Sequence, residues 1–358
     1  MHSGPAKSTP SGWKGELSLV ALIRGRAVRQ SLSGKRNPWL RLGIGDDCAL
    51  LRLRAGEELA LTTDLSIAGR HFRLDWHPPE AIGHRTLARG LSDLAAMGAR
   101  PVAAFLSLGL PRKLTGDWLR RYLDGFFALA EAHKIALAGG DLAESPIAVA
   151  DIVLAGTVGR GKALLRSGAK PGDLLYVTGE LGAAAAGLEQ LKQLAGRRTK
   201  SRPSRKTESQ PVPLQPLRIP ARLAPSLAPH LYPQPRVSQG LWLVRSSIPT
   251  AAIDLSDGLS TDLAHLLEES GVAAEIDTAA LPTHPAATLS QALHGGEDYD
   301  LLFTAAPSTP VPRRIAGVPV TRIGRILRAQ AGTPRIALVT AHGSHALKPR
   351  GWEHFSQP

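Results

Sequence analysis

Short apolar runs bounded by turn-forming residues alternate along the chain with longer segments in which apolar residues recur at helical spacing. The first kind of run is typical of buried strands and the second of amphipathic helices. Strands are predicted at Leu59–Thr63, Val149–Val158 and Leu174–Thr178.

Helices are predicted where apolar residues lie three or four positions apart. One leads from Leu87 to a stop at Gly98, a second covers Trp118–Lys134, and a third follows Asp257 and stops at Gly271. Glycine just after the last periodic residue is a common helix end. The apolar stretch Leu17–Ile23 predicts an N-terminal amphipathic helix. This mixture predicts an α/β or α+β fold.

The length of 358 residues favours two domains. A boundary is expected near residue 160, between a Gly- and Lys-containing turn and the next predicted strand. Residues 196–236 contain nine prolines and many basic residues, which predicts a solvated, partly extended insert. The predicted parts are a flexible basic N-terminus at 1–14, an α/β domain at 15–160, and a C-terminal α/β domain at 161–358 that carries the insert.

The formal net charge of +13 raises the hypothesis of nucleic-acid binding. Residues 1–41 have a net charge of +7 and residues 196–236 one of +8, which leaves −2 for the remainder. Aromatic residues make up 4% of the chain. Charge confined to two segments and few aromatics argue against a folded nucleic-acid-binding face.

The remaining bulk features exclude other classes. No apolar run is long enough to span a bilayer, so no membrane association is expected. Cys48 is the single cysteine, which excludes an intrachain disulfide, fits a cytoplasmic location and is expected to be buried.

Aspartates and one glutamate stand beside glycines, or at the ends of apolar runs, in six places. These segments are Gly45-Asp46-Asp47, Thr62-Thr63-Asp64, Ser92-Asp93, Gly139-Gly140-Asp141, Asp254–Gly258 and Gly295-Gly296-Glu297-Asp298. Strand ends in α/β folds present side chains to a common cleft, and glycine allows a close approach of the backbone to a ligand.

Several carboxylates gathered in one cleft suit Mg²⁺, which prefers oxygen ligands and substrate phosphates. Bound Mg²⁺ would neutralise the repulsion between ATP and a phosphorylated acceptor. Each segment also has an ordinary structural explanation, since Asp is common in turns and at helix starts. Asp257, for example, could cap the helix that begins at Gly258.

Other catalytic motifs are incomplete. Residues 156–163 nearly match a phosphate-binding P-loop, but Ala163 stands where a Ser or Thr should contact Mg²⁺. The nucleophile elbow of hydrolases and the catalytic-loop signatures of protein kinases are missing.

The order of the motifs resembles the thiamine-monophosphate kinase family over most of the chain, from Gly15 to Phe355. The segments that carry the resemblance are GIGDDCALL (43–51), TTDLSIAGRHF (62–72), LARGLSDLAAMGARP (87–101), AGGDLAESP (138–146), RSGAKPGDLLYVTG (166–179), AIDLSDGLSTDL (252–263) and GGEDYDLLFT (295–304). The third and the last are the most specific.

The resemblance implies an aminoimidazole-ribonucleotide-synthetase-like fold and a homodimer, in which the N-terminal domain at 15–160 binds ATP and Mg²⁺ and dimerises through its mixed sheet. It also implies transfer of the ATP γ-phosphoryl group to thiamine monophosphate with several Mg²⁺ ions. The metal ligands that it implies are Asp46, Asp47, Thr62, Thr63, Asp64, Asp93, Asp141, Asp254 and Asp257. It further implies that Gly140, Asp141, Arg166 and Ser256 bind ATP and that His71, Glu297 and Trp352 bind thiamine monophosphate. No catalytic general base is expected, because the attacking phosphate oxygen is already ionised.

The chain departs from the family pattern at a few positions. Leu142 and Ala143 stand where the family usually has threonines, and His84-Arg85 where it often has Tyr-Lys. Two alternatives therefore stay open: another ATP-dependent enzyme of the same superfamily, such as a selenophosphate or purine-pathway synthetase, or a basic nucleic-acid-associated protein. Ordinary packing at the C-terminus is an equal alternative for Trp352.

Overall fold

A computed structural model describes residues 16–33, 37–44, 47–200, 217 and 219–352 of the chain. Asp46 and the predicted flexible terminus at 1–14 lie outside these residues, as does much of the predicted insert. The described residues form helices α1 (Glu16–Ser33), α2 (Pro79–Ala96), α3 (Asp117–Ala132), α4 (Ala183–Lys200), α5 (Ala224–Leu231), α6 (Val237–Ser246), α7 (Leu259–Ser270) and α8 (Leu289–His294).

The strands confirm the predicted α/β class. They are β1 (Leu40–Leu42), β2 (Leu50–Leu51), β3 (Glu57–Ile67), β4 (Arg100–Leu110), β5 (Ala136–Glu144), β6 (Val149–Gly159), β7 (Leu174–Thr178), β8 (Pro249–Asp254), β9 (Val272–Asp277), β10 (Leu301–Ala305), β11 (Arg314–Ile315), β12 (Val318–Arg328), β13 (Ile336–Thr340) and β14 (Gly343–Ala346). All three predicted strands and the four predicted helices are present. No helix in the described part of the chain is long and apolar enough to cross a membrane.

Two main sheets organise these elements. The N-terminal sheet has the order β3-β6-β4-β5 and is mixed, because β4 and β5 are parallel while the other pairs are antiparallel. The C-terminal sheet has the order β14-β13-β9-β12-β7-β10-β8, with β11 paired to β12. β1 and β2 form a separate small ribbon.

Helix α2 joins the two halves and is buried along most of its length. It packs on β3 and β6 of the N-terminal sheet, on α3, and on α6 and β8 of the C-terminal half. Glycines make these close approaches possible: a Cβ at Gly83 would lie 1.9 Å from Tyr122 O, and one at Gly240 would lie 2.0 Å from Ala95 O. A helix buried on several sides can present polar residues only to a partner or a cavity.

The described part of the predicted insert differs from a solvated, extended segment. Residues 224–231 form α5, which packs on α4, and Leu227 and Leu231 are buried in a shared apolar cluster. Pro225 occupies the first turn of this helix, where no intrahelical donor is needed, and the helix persists despite Pro229 in its interior because the shared apolar cluster holds it. The prediction of a solvated, extended chain is wrong for residues 224–231. Leu227 and Leu231 are four positions apart, so a helix buries both of them in one cluster despite the proline-rich composition.

Cys48 is exposed rather than buried. Cys48 lies between Asp47 and β2, which begins at Leu50, and is therefore outside the sheets, where no core element covers it. The alternative that Asp257 caps a helix starting at Gly258 is also wrong. α7 begins at Leu259, its N-cap is Gly258, and Asp262 Oδ2 accepts hydrogen bonds from the backbone N of Asp257 and Gly258 at 3.0 and 2.9 Å.

Candidate functional site

A cavity of about 670 Å³ lies between α2, the loop that follows β3, and loops of the C-terminal half. Such a volume is in the range of small-molecule sites. It is lined by eight of the residues predicted to bind metal, ATP or thiamine monophosphate: Asp64, His71, Asp93, Asp254, Ser256, Asp257, Glu297 and Trp352. Residues scattered over nearly 290 sequence positions are thus brought to one place.

Three carboxylates from three elements line one side of this cavity. They are Asp64 on β3, Asp93 on α2 and Asp254 at the end of β8, and together they are called the acidic wall. The hydroxyl of Thr62 donates to Asp93, and Ser92 Oγ donates to Asp254 Oδ2 at 2.6 Å. Thr62, which is also a predicted metal ligand, is therefore joined to the acidic wall by its hydrogen bond to Asp93.

The acidic wall holds like charges close together. Burial, and then the charges of Asp254 and Asp64, raise the pKa of Asp93 to about 7. Burial also raises the pKa of Asp254 to about 6, against the opposing effects of Ser92 and Arg166. Carboxylates this hard to ionise gain most from a bound cation.

Arg89 forms an ion pair with the acidic wall. Sequence reasoning missed this residue. Its Nε lies 3.3 Å from Asp64 Oδ1, and it lines the cavity. Arg89 stands four residues before Asp93 on α2, so helical spacing alone puts both on one face. That spacing could have identified it.

The donor set of the acidic wall fits a divalent cation such as Mg²⁺, since carboxylate and hydroxyl oxygens are its preferred protein ligands. Among the described residues, no three His, Cys, Asp or Glu side chains are close enough to form a complete metal site by themselves. A partial protein set is usual for Mg²⁺, which retains waters and substrate oxygens.

The run Thr62-Thr63-Asp64 is divided between the two faces of the N-terminal sheet. Successive side chains on a strand point to opposite faces. Thr62 and Asp64 face α2, whereas Thr63 Oγ1 donates to Asp151 Oδ1 at 3.1 Å on the other side. Asp141 shares that second face, because it and Asp151 both pair with Ser107.

Other predicted residues also lie away from the lining of the cavity. Asp47 and Arg166 are exposed, although the charge of Arg166 lowers the pKa of both Asp93 and Asp254. Gly140 has a structural requirement of its own: its φ is +148° and a Cβ would lie 1.9 Å from Leu106 O. The structure thus brings together near α2 several of the residues predicted to bind metal and acceptor. Asp47, Arg166 and Gly140 are not among them.

The C-terminal segment closes one side of the cavity. Trp352 N donates to Asp257 O at 3.0 Å, and Gly351 N donates to Thr261 Oγ1 at 3.0 Å. A Cβ at Gly351 would lie 2.1 Å from Asp257 O, so this close approach needs glycine. Trp352 is 49% exposed, which differs from the ordinary burial of a packed aromatic.

Glu297 is held from several directions. Its backbone N donates to Ser256 O at 2.8 Å, and its φ of +68° is unusual for a residue with a Cβ. Its Oε1 accepts from Arg85 Nη2 at 2.6 Å. Burial would raise its pKa, but the charge of Arg85, the neighbouring His230 and the hydrogen bond from Arg85 outweigh burial and lower the pKa to about 2. Glu297 is therefore a fixed anion.

Sequence reasoning also missed the basic and aromatic residues of the lining, which include Arg70, Arg73, Trp76, His77, Lys192, His230, His294 and Arg350. They come from loops and helices without a shared motif. His230 belongs to the segment predicted to be a solvated insert. Only the packing of α5 against α4 could reveal it.

Comparison with known proteins gives a consistent picture. Residues 45–160 match the family model described as AIR synthase related protein, N-terminal domain. The thiamine-monophosphate kinase of Salmonella typhimurium is 36% identical over 356 residues, which covers 96% of this chain and 99% of that protein.

Solved structures agree. The crystal structure of thiamine-monophosphate kinase from Stenotrophomonas maltophilia is 38% identical, with a TM-score of 0.72, and the match covers 88% of this chain and 95% of that one. AaThiL complexed with AMPPCP and TMP is 30% identical, with a TM-score of 0.68, over 95% of this chain and 97% of that one.

Proposed function

The chain belongs to the thiamine-monophosphate kinase family, and we propose that it transfers the γ-phosphoryl group of ATP to thiamine monophosphate, which completes the biosynthesis of thiamine diphosphate. The observation that carries the proposal is that one cavity combines the acidic wall with the fixed anion Glu297. A relative solved with AMPPCP and TMP supports the pairing of an ATP analogue with this acceptor.

The acidic wall would hold Mg²⁺. Asp64, Asp93 and Asp254 are the proposed ligands that already share the cavity. Asp257 lines the same cavity, while Asp46, Asp47, Thr63 and Asp141 stay predictions. Bound Mg²⁺ supplies charge neutralisation between two phosphorylated substrates.

The residues of the chain then act by binding and orientation. The phosphate oxygen of the acceptor is ionised at neutral pH, so no residue has to remove a proton from it. Cavity arginines such as Arg89 and Arg350 can bind phosphate oxygens with paired N–H groups. His71, Glu297 and Trp352 would contact the thiamine part of the acceptor, with Ser256 near the nucleotide.

A homodimer is part of the proposal. Leu59, Leu61 and Leu65 alternate along β3 and are 42%, 64% and 47% exposed on the sheet face that α2 does not cover. A row of exposed apolar residues on one sheet face is typical of an association surface. Asp141 and Gly140 belong to the strand at the end of the same sheet, so a second copy seated there would adjoin the predicted ATP-binding residues.

The decisive experiment is a turnover assay with ATP, Mg²⁺ and a panel of phosphorylated acceptors that includes thiamine monophosphate. We expect formation of thiamine diphosphate and ADP in equal amounts, with loss of activity when EDTA removes the metal. No turnover of thiamine monophosphate at high Mg²⁺, or preference for another acceptor, would contradict the proposal.

Sedimentation of the purified chain tests the dimer. We expect a dimer that becomes monomeric in Leu61→Glu, because a charge would then be buried at the contact. Leu289→Glu is a matched control at another exposed leucine, which is 44% accessible and away from this face. Equal behaviour of both variants would contradict a contact through β3.

A further inference from the structure

Two buried histidines meet at the wall of the cavity that carries Glu297. His77 and His230 are each 2% exposed, and their Nε2 atoms are 3.0 Å apart. A contact of this length between two ring nitrogens accommodates one hydrogen, so one ring donates and the other accepts. Burial and then the charge of Arg85 lower the pKa of His77 to about 4 and that of His230 well below its ordinary value. Both rings are therefore neutral.

Arg85 connects this histidine pair to Glu297. Its Nη1 donates to His230 O at 2.5 Å, and its Nη2 donates to Glu297 Oε1 at 2.6 Å. Nδ1 of His230 lies 3.5 Å from Glu297 Oε2. Nη1 of Arg85 lies 3.3 Å from the same Nδ1, so the network hydrogen-bonds Oε1 of Glu297 and lies beside its Oε2.

The network has features that a purely structural cluster would not need. Buried polar groups cost stability unless they are all hydrogen-bonded. Here the cluster ends on a carboxylate that lines the cavity, and the backbone of Glu297 has a φ of +68°. Sparsely populated backbone conformations persist where the surroundings hold them, often at functional sites.

A third histidine, His84, stands directly before Arg85 on α2 and behaves differently. His84 is also buried, and its Nε2 contacts Pro233 O at 2.7 Å in the segment that carries His230. It does not line the cavity. It therefore offers a matched control, since it shares burial, residue type and neighbouring segment but lacks the link to Glu297.

We propose that His230, His77 and Arg85 are positioning residues that orient Glu297 for recognition of the thiamine part of the acceptor. The proposal rests on the proposed function and extends it to residues outside the predicted site. A carboxylate has about four acceptor positions, of which the hydrogen bond from Arg85 occupies one, so positions stay free on both oxygens. Those remaining positions suit an amino group or a ring cation of the acceptor.

The test compares variants that retain different ring nitrogens. His230→Gln places its amide near the former Nε2 and loses the group next to Glu297, whereas His230→Asn places its amide near the former Nδ1. For His230→Gln we expect the KM for thiamine monophosphate to rise about tenfold, because Glu297 loses a polar neighbour that holds its orientation, with little change in the KM for ATP. His230→Asn should recover most of the affinity.

A second comparison shows whether the effect passes through Glu297. When Glu297→Gln is already present, His230→Gln should cause no further rise in the KM for thiamine monophosphate, because residues that act as one unit are not additive. His84→Gln should leave both KM values unchanged. If His230→Gln does not fold, His77→Asn breaks the same Nε2 contact from the other side and should raise the KM for the acceptor by about threefold.

Binding of thiamine monophosphate measured by calorimetry without ATP separates the two hypotheses. A wild-type protein that binds and phosphorylates this acceptor, with His230→Gln indistinguishable from His84→Gln, would overturn the positioning role alone. Additive effects of His230→Gln and Glu297→Gln would do the same. A wild-type protein that neither binds nor phosphorylates thiamine monophosphate would overturn the proposed function, and the positioning role with it.

Discussion

The acidic wall and Glu297 lie in one cavity but differ in how the protein treats a carboxylate. The pKa of Asp93 is raised to about 7, whereas the pKa of Glu297 is lowered to about 2. Both groups are desolvated, so burial does not explain the difference. The charged neighbours do: Asp93 faces the carboxylates of Asp254 and Asp64, while Glu297 faces the guanidinium of Arg85.

The difference shows which part of the cavity needs a ligand. Glu297 has its counter-charge built into the fold and is ready to bind before any ligand arrives. Among the described residues, Arg89 alone forms an ion pair with one of the three carboxylates of the acidic wall, so a bound cation would complete it. We therefore expect metal to affect the acidic wall strongly and Glu297 little.

The largest effect is expected for Asp254→Asn. Loss of this carboxylate should lower kcat by about 10²–10³-fold, because a charge that organises the transition state is removed. The metal-free variant should be at least as stable as wild type, since one repelling charge is gone. Steady-state kinetics and thermal unfolding with EDTA check both parts.

Asp173→Asn is the matched control for Asp254→Asn. Asp173 is also a buried aspartate, but it accepts from Thr250 Oγ1 at 2.7 Å and does not line the cavity. We expect lower stability with kcat preserved. An Asp254→Asn protein with a near-normal rate would remove this residue from the metal site.

The next effect is on stability and concerns the counter-charge of Glu297. Arg85→Met should lower the free energy of unfolding by about 3–5 kcal/mol, because it leaves a buried carboxylate without its partner. Arg325→Met is the control: Arg325 and Glu275 have the same 2.6 Å separation as Arg85 and Glu297, but the Arg325 side chain is 59% exposed. Its loss should cost at most about 1 kcal/mol.

Urea unfolding of both variants provides the measurement. Equal losses of stability in Arg85→Met and Arg325→Met would mean that Glu297 is not stabilised by its buried partner. The contrast with the acidic wall would then have no physical basis.

A smaller effect follows from the pKa of Asp93. Because its pKa is raised in the folded state, the folded protein binds more protons than the unfolded chain up to about pH 7. Stability of the metal-free protein should therefore rise, relative to Asp93→Asn, as the pH falls from 8 to 6.5. The slope is at most about 1.4 kcal/mol per pH unit, the value for one full proton.

Asp298, whose pKa burial also raises to about 7, titrates in the same pH window, but it is present in both proteins and its contribution cancels in the comparison with Asp93→Asn. Glu297 contributes stability that is lost only near its pKa of about 2, and the lowered pKa of His77 matters below the ordinary histidine value of 6.5. Saturating Mg²⁺ should abolish the trend, since bound metal keeps Asp93 ionised. A pH-independent difference between wild type and Asp93→Asn would contradict the raised pKa.

The smallest effect is expected for Cys48→Ser. A selenophosphate-type synthetase would need a reactive cysteine, and Cys48 is exposed. For phosphorylation of thiamine monophosphate the thiol has no role, so kcat should change by less than about twofold, as for most surface substitutions. Loss of turnover in Cys48→Ser would favour the alternative chemistry.

Sequence patterns predicted much of the fold. The apolar periods predicted α2, α3 and α7 and the strands β3, β6 and β7 because local spacing determines which face of an element can be buried. The same reasoning failed for the described end of the insert, where composition suggested an extended chain. There, the Leu227 and Leu231 contacts with α4 depend on a partner distant in sequence.

The sequence by itself determined the identity of the chemical groups, since glycine-flanked carboxylates in this order already indicated Mg²⁺ and two phosphorylated substrates. Tertiary structure alone decided which of them share a cavity. Thr63 and Asp64 are neighbours in the chain, yet strand alternation sends them to opposite faces of the sheet. The charge state of each carboxylate was decided in the same way, because a pKa depends on the neighbours that folding supplies, and these come from residues far apart in the chain.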